Sequence, residues 1–156
     1  MTPSNYFIIM EIKQEIEQEI IELHNLFVAW FSGSSNKKEL EGKLAARFYK
    51  NTVFITTKGE SVPYHQLMEM FESGYGKMSS EFKIAISNVE LLQDIGEYFL
   101  VNYIEWQTTD PNPELSANYN ARKTTLLLSK ARPFKWLHIH ETMLTKPTEI
   151  IKDWKS

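Results

Sequence analysis

The sequence contains no cysteine and carries little net charge. Without a thiol, the chain can form no disulfide, use no cysteine nucleophile and build no zinc–thiolate site. Its 17 basic and 20 acidic residues give a formal net charge of −3, and the basic residues are scattered along the chain. A protein that binds nucleic acid through its phosphates usually gathers such residues into a stripe, so we expect no nucleic-acid partner.

Long hydrophobic runs are also absent. No run approaches the ~20 apolar residues of a membrane-spanning helix, and the N-terminal segment lacks the basic and apolar regions of a secretory signal. We therefore expect a cytoplasmic protein with no membrane partner. A length of 156 residues suits one domain with a substantial core. We assign 1–156 to a single domain, with 1–8 and 146–156 as flexible or partner-docking ends.

The first half of the chain has the periodicity of amphipathic helices. Over 9–31, spacings of three and four residues connect Ile9, Ile12, Ile16, Ile20, Leu23, Phe27 and Trp30. Gly33 then ends the predicted helix. Shorter helices are predicted over 38–48 and 63–73, with a strand and a turn over 52–60 between them.

The second half contains four strand-like segments separated by turns. These segments are 82–93, 97–109, 118–130 and 134–144. No connection has room for a crossover helix, so successive strands must run antiparallel. Helices followed by such a meander indicate an α+β fold. We expect N-terminal helices packed in the concave face of a strongly curved, mostly antiparallel sheet, which forms a cone with an internal pocket.

The last strand carries two histidines on one face. His138 and His140 alternate with apolar neighbours and share a face with Trp136 and Thr142, with their Cα atoms about 6.6 Å apart. Two imidazoles on one face of a buried-looking strand indicate either a cavity wall or histidines that bond within the core.

Short motifs in the sheet resemble those of a known superfamily. WLHIH (136–140) is similar to the W-x-x-V-H-F-H of its last strand, with the His-x-His step one residue nearer the tryptophan. ISNV (86–89) and NYIEW (102–106) are similar to its I-x-N-x-x-V and A-Y-I-R-L runs. From about residue 11 to 144 the chain resembles the nuclear transport factor 2-like (NTF2-like, cystatin-like, SnoaL-like) superfamily. The resemblance is sharpest to the association domain of calcium/calmodulin-dependent protein kinase II and to related bacterial proteins of unknown function.

Two departures from the superfamily bear on activity. Glu105 stands where the association domain has the arginine of A-Y-I-R-L, so we expect no shared preference for carboxylate ligands. The segment 48–52 contains no carboxylate, whereas the isomerases of the superfamily use an aspartate in that region as general base. Steroid isomerisation by that aspartate is therefore not expected.

Three residues are candidates for chemistry: His140, His138 and Glu105. The histidines could be structural or pocket-lining, could transfer protons, or could supply two metal ligands with Glu105 as the third. We assign no metal. If Glu105 faces inward, burial should raise its pKa and make it a general base. If it faces outward, it is a solvated or interface charge.

Six further side chains are candidates for ligand contacts. They are Trp30, Tyr49, Tyr64, Tyr103, Arg122 and Thr124. A tyrosine near a helix end can donate a hydrogen bond to a ligand carbonyl, although such a ring more often simply packs. Trp30 suits the core as well as a pocket wall, and an inward Arg122 could pair with Glu105.

Two function classes remain open on these grounds. The first is a ligand-binding or assembly module whose pocket takes a small, partly apolar molecule. The second is a SnoaL-like isomerase, dehydratase or cyclase that transfers protons next to a carbonyl. No motif implies a nucleotide, flavin or haem, so we expect no cofactor. The resemblance implies a homodimer that pairs through the outer sheet face, with residues such as Phe99 and Val101 or their alternates in the interface.

Overall fold

The computed structural model describes residues 3–33, 36–113, 119–145 and 154. Three helices and six strands lie within these ranges. In chain order they are α1 (Pro3–Ser32), α2 (Lys37–Ala45), β1 (Phe48–Ile55), β2 (Ser61–Pro63), α3 (Tyr64–Gly74), β3 (Lys83–Ile95), β4 (Tyr98–Thr108), β5 (Asn120–Ser129) and β6 (Trp136–Leu144). The predicted α+β fold class is confirmed.

The helices follow the predicted periodicity, with two corrections: α1 begins at Pro3 rather than at residue 9, and α2 is shorter than predicted. Helix α2 begins at the N-cap Asn36, whose side chain accepts a hydrogen bond from the Glu39 backbone, and it ends at Ala45 rather than at 48. Phe48 instead starts β1, where it pairs with Trp136 in a parallel ladder. Periodicity alone could not show this, because the strand partner lies far along the chain.

The six strands form one sheet in the order β2-β1-β6-β5-β4-β3. The pairs β3–β4, β4–β5 and β5–β6 are antiparallel, which confirms the predicted meander. Strand β1 joins the far side of β6 in parallel, and the short β2 pairs with β1. The predicted strand and turn over 52–60 are confirmed as the end of β1 and the turn that leads to β2, in which Gly59 has a φ of 81°.

The core lies between α1 and the inner face of the sheet, the face on which the helices pack. Ile16, Ile20 and Leu23 of α1 are fully buried, as are Val101 of β4 and Leu126 of β5. Burial of such side chains is the main favourable term in folding.

The end of α1 is fixed to α3 and to the loop that follows it. The Trp30 indole Nε1 donates a hydrogen bond to the Phe71 carbonyl at 2.6 Å. Gly33 ends the helix with a φ of 68° and lies against Gly76, where an added Cβ would come within 3.2 Å of the Gly76 Cα. This end of α1 therefore holds α3 in place over the sheet.

A β-bulge in β6 decides which side chains of that strand face inward. Leu128 pairs with Trp136, but Leu127 pairs with His138, so Leu137 is the extra residue. An extra residue reverses the alternation of faces beyond it. Trp136 and Ile139 consequently share the inner face, on which both are buried.

The predicted ends of the domain are partly described. Residues from Pro3 onward belong to α1, whose first turns expose Tyr6, Phe7 and Ile8. Within 146–156 only Trp154 lies among the described residues, and its ring packs against Tyr119 of the same chain at 6.2 Å between ring centroids. In the described part of the chain, no helix is long and apolar enough to cross a membrane.

Candidate functional site

A cavity of about 250 Å³ lies between α1, α3 and the inner face of the sheet. Most of its wall is apolar, formed by Leu23, Phe27, Phe31, Phe48, Phe54, Leu67, Met70, Phe71, Phe82, Ile84, Trp136 and Ile139. Met70 is 47% exposed, unlike the other side chains of the wall, and so marks where the cavity opens. A mostly apolar enclosure with a few polar groups is the usual form of a small-molecule site.

The polar groups converge on one side of this cavity. They are His24, Tyr103, Glu105, Gln107, Arg122 and Glu141. The sheet register explains the grouping, because Glu105 lies opposite Arg122, and Thr124 lies between Tyr103 and Glu141. His24 reaches the same place from α1.

His24 and Glu105 form a buried pair. The His24 Nε2 lies 3.4 Å from Glu105 Oε2, and both side chains are at most 5% exposed. The Nδ1 of His24 lies 2.7 Å from the Ile20 carbonyl oxygen, which can only accept, so Nδ1 must carry a hydrogen and donate. The Nε2 atom, on the other side of the ring, faces the Glu105 carboxylate.

The pKa values of this pair move apart. Burial by itself would lower the pKa of His24, but the Glu105 charge, with hydrogen bonds from Glu105 and Ile20, raises it overall. Burial by itself would raise the pKa of Glu105, but the His24 charge and hydrogen bond lower it, with help from Arg122 and Gln107. Each group therefore favours the charged form of the other.

Glu141 and Arg122 form the second pair. The Arg122 Nη1 donates to Glu141 Oε2 at 3.0 Å, and its Nη2 donates to Asn120 Oδ1 at 2.9 Å. Burial raises the pKa of Glu141 to about 7, and the Glu105 charge adds to this effect against the opposing charge of Arg122. Two carboxylates in one cavity thus differ in protonation near neutral pH.

Tyr103 lies at the centre of the polar side. Its hydroxyl is 3.4 Å from His24 Nε2. Burial, followed by the Glu105 charge, raises its pKa well above the usual value. Tyr103 is therefore a neutral phenol that can donate or accept a hydrogen bond but is no base.

Three of the predicted site residues line the cavity: Glu105, Tyr103 and Arg122. Two details of the prediction are corrected. Arg122 forms its ion pair with Glu141 rather than with Glu105. The pKa of Glu105 is lowered rather than raised, because the His24 charge and hydrogen bonds outweigh its burial.

The predicted placement of His138 and His140 in the cavity is corrected. Ile139 and Glu141 line the cavity instead, and the histidines alternate with them, so their side chains lie on the outer face. His140 is exposed and His138 half-buried. The bulge at Leu137 causes the reversal. The described residues contain no group of three His, Asp or Glu side chains that could hold a metal ion.

The remaining predicted ligand contacts lie outside the cavity wall. Trp30 is buried in the core and bonded to α3. Tyr49 and Tyr64 are half-buried, with the amines of Lys135 and Lys50 respectively above their rings. Thr124 is fully buried within the sheet beside Tyr103.

Sequence reasoning missed His24 and Glu141. A signal for His24 existed, because it lies four residues after Ile20 and three before Phe27, which places it on the buried stripe of α1. For Glu141 no signal existed, because strict alternation places it opposite to Trp136 and a bulge is not visible in the pattern.

Comparisons with known proteins place this geometry in a known fold. No protein-family model matches the chain, and no curated protein matches its sequence. Among solved structures, the chain is similar to an NTF2-like protein of unknown function from Pseudomonas aeruginosa, with a TM-score of 0.72, 25% identity, and coverage of 83% of this chain and 98% of that one.

Two other structures share the fold at lower identity. One is the β subunit of benzoate 1,2-dioxygenase from Burkholderia mallei, with a TM-score of 0.62, 10% identity, and coverage of 88% of this chain and 96% of that one. The other is the association domain of CaMKII from C. elegans, with a TM-score of 0.55, 14% identity, and coverage of 85% of this chain and 98% of that one. Such identities show the fold alone.

Proposed function

We propose that this chain, which has the NTF2-like, cystatin-like fold, binds a small, partly apolar molecule in the cavity between α1, α3 and the sheet. The supporting observation is an apolar enclosure in which six polar side chains converge on one side. A volume of about 250 Å³ lies just below the ~300–1,000 Å³ of pockets for drug-sized ligands. We therefore expect a ligand smaller than a drug-sized molecule.

The charges around the cavity favour an uncharged ligand. His24 is paired with Glu105, and Arg122 with Glu141. A charged ligand would have to break one of these pairs or remain unpaired in an apolar space, which costs several kcal/mol. An uncharged molecule with one or two hydrogen-bonding groups meets no such penalty.

A second candidate function is proton transfer next to a carbonyl, as in an isomerase, dehydratase or cyclase. The observation in its favour is the pKa of Glu141, which burial and Glu105 raise to about 7. A carboxyl that titrates near neutral pH suits a general acid or base. In this scheme Glu141 moves the proton, Tyr103 or Arg122 donates to the carbonyl oxygen, and Glu105 keeps His24 charged.

We further propose a cytoplasmic, single-domain protein that forms a homodimer through the outer face of the sheet. Phe99 and Val101 face the core, so the interface would use the residues that alternate with them along β4. Leu100, Leu127 and His138 lie side by side across three strands on that face and are each half-buried in the single chain. The similarity to an association domain supports self-assembly.

Thermal unfolding with a panel of small uncharged aromatic compounds tests the binding proposal. Any compound that binds only the folded chain raises Tm with concentration. Met70→Trp, at the cavity opening, should abolish the rise, whereas Leu92→Trp, on an exposed part of β3 outside the cavity, should preserve it. A rise that survives Met70→Trp, or no rise with any compound, would contradict the proposal.

A further inference from the structure

We infer that Glu141 is the residue that recognises the ligand, by donating a hydrogen bond to an oxygen of an uncharged molecule, and that Glu105 is a positioning residue without ligand contact. This inference rests on the proposed binding function and identifies its ligand class. It follows from the partners of the two carboxyl groups and from the charges that surround them.

The oxygens of Glu105 are both occupied by the protein. Its Oε1 accepts a hydrogen bond from the Gln107 side-chain amide at 2.7 Å. Its Oε2 lies 3.4 Å from the His24 imidazole. The side chain is 5% exposed. A ligand could reach Glu105 only by displacing one of these partners.

Glu141 is bonded at one oxygen. Its Oε2 accepts from Arg122, and no other described residue bonds to the carboxyl group. Its side chain is more accessible than that of Glu105, at 11% exposed, and lines the cavity. Arg122 is itself oriented by Asn120. Glu141 is thus held firmly at Oε2 while Oε1 remains available to a ligand.

Burial and one neighbouring charge together favour the protonated form of Glu141. Glu105 and Tyr103 face it from β4, Arg122 from β5 and His24 from α1. Burial and the Glu105 charge raise the pKa of Glu141 to about 7, with Arg122 and His24 opposing them. Near neutral pH, a large share of the molecules therefore present a carboxylic acid, which is a hydrogen-bond donor.

A protonated Glu141 selects among ligands of similar size. An uncharged ketone or similar acceptor gains a hydrogen bond from protonated Glu141 and leaves the pair of His24 and Glu105 undisturbed. A carboxylate or an ammonium meets charges of both signs here, Glu105 on one side and Arg122 and His24 on the other, so neither recovers the cost of leaving water. The aromatic wall, which includes Phe27, Phe71 and Trp136, favours a ring on the rest of the ligand.

Three compounds of nearly equal size test the inference: acetophenone, benzoate and benzylamine. Their dissociation constants are measured by ligand-observed NMR at about pH 6 and about pH 8 for the wild type, Glu141→Gln and the control Leu92→Trp. Because only the protonated form of Glu141 donates, acetophenone should bind the wild type about ten-fold more weakly at the higher pH. The same loss is expected in Leu92→Trp. Glu141→Gln keeps an amide donor and should show no such pH dependence.

The outcomes separate the inference from the proposed function. Benzoate and benzylamine should each bind about ten-fold more weakly than acetophenone at the lower pH. Tighter binding of either charged compound, or a pH dependence that persists in Glu141→Gln, would overturn the inference and leave the pocket standing. If none of the three compounds binds, the proposed function itself fails.

Discussion

At the scale of residues, the cavity shows that neighbouring groups can shift the pKa values of two glutamate side chains in opposite directions. Both Glu105 and Glu141 lie on the inner face of the sheet, where Glu105 is buried and Glu141 is half-buried. Glu105 has a histidine beside it and a lowered pKa. Glu141 has a second carboxylate nearby, and burial raises its pKa to about 7. The difference lies in the contacts of each residue, which the sequence does not display.

The raised pKa of Glu141 predicts a pH-dependent stability. The folded chain holds this proton more tightly than the unfolded chain, whose pKa is near 4.5. The contribution is therefore fully present below about pH 4.5 and is lost as the pH rises through about 7. Glu141→Gln has no carboxyl group that titrates at this position. The free energy of unfolding of the wild type should therefore fall relative to that of the variant as the pH rises from about 4.5 to about 7.

Urea unfolding at a series of pH values measures this difference. His24 is present in both proteins, and because the Glu141 charge raises its pKa, the comparison reports the titration of Glu141 together with its coupling to His24. A difference in stability that stays constant with pH would show that Glu141 is ionised throughout, contrary to this account.

Removing His24 should be more harmful than removing other histidines. His24→Gln deletes the positive partner of a fully buried Glu105, and breaking a buried ion pair in this way costs about 3 kcal/mol or more. The double variant with Glu105→Gln should recover part of the loss, because no unpaired charge remains. The matched control is His65→Gln, on an exposed residue. Equal effects at His24 and His65, measured by urea unfolding, would refute the pairing.

At the scale of elements, periodicity located the helices and strands but not their partners. The three-to-four spacing predicted α1 because its buried stripe is local to the chain. The parallel pairing of β1 with β6 was not predicted, since 85 residues separate Val53 from His138 along the chain. Alternation is regular along β4 and β5, but it left open whether Glu105 and Arg122 face inward. In β6 the alternation itself fails, because a bulge is a tertiary feature that the alternation of residue types conceals.

The bulge in β6 can be tested directly. Deleting Leu137 would remove the extra residue, so that His138 follows Trp136 in regular register and Ile139 and Glu141 stay on the inner face. We therefore expect this variant to retain a cooperative thermal transition. Deleting both Leu137 and His138 would turn Ile139 and Glu141 outward, and the loss of the buried isoleucine from the core should abolish the transition. A double deletion that unfolds like the single deletion would mean that the inner face of β6 is not set by the bulge.

At the scale of the whole molecule, the inner and outer faces of the sheet have separate proposed tasks. The inner face closes over the cavity with α1 and α3. The outer face presents Leu100, Leu127 and His138 in one row. A protein of this design can bind a ligand inside while it pairs with a copy outside.

The dimer proposal predicts the effect of a charge on the outer face. Leu127→Lys should convert the dimer to a monomer in native mass spectra, because an unpaired lysine would be buried in the interface. Ser73→Lys, at an exposed position of α3, adds the same charge elsewhere and should leave the dimer intact. A wild-type monomer, or a dimer that tolerates Leu127→Lys, would contradict the proposal that the chain dimerises through the outer face of the sheet.

The location of a bound ligand tests the central claim most directly. Intermolecular nuclear Overhauser effects between acetophenone and isoleucine methyl groups report which residues lie within about 5 Å of the ligand. We predict contacts to Ile84 and Ile139, both in the cavity wall, and none to Ile95, which is exposed at the end of β3. Contacts to Ile95 without contacts to Ile84 and Ile139 would show that the ligand binds the surface, and would contradict the account.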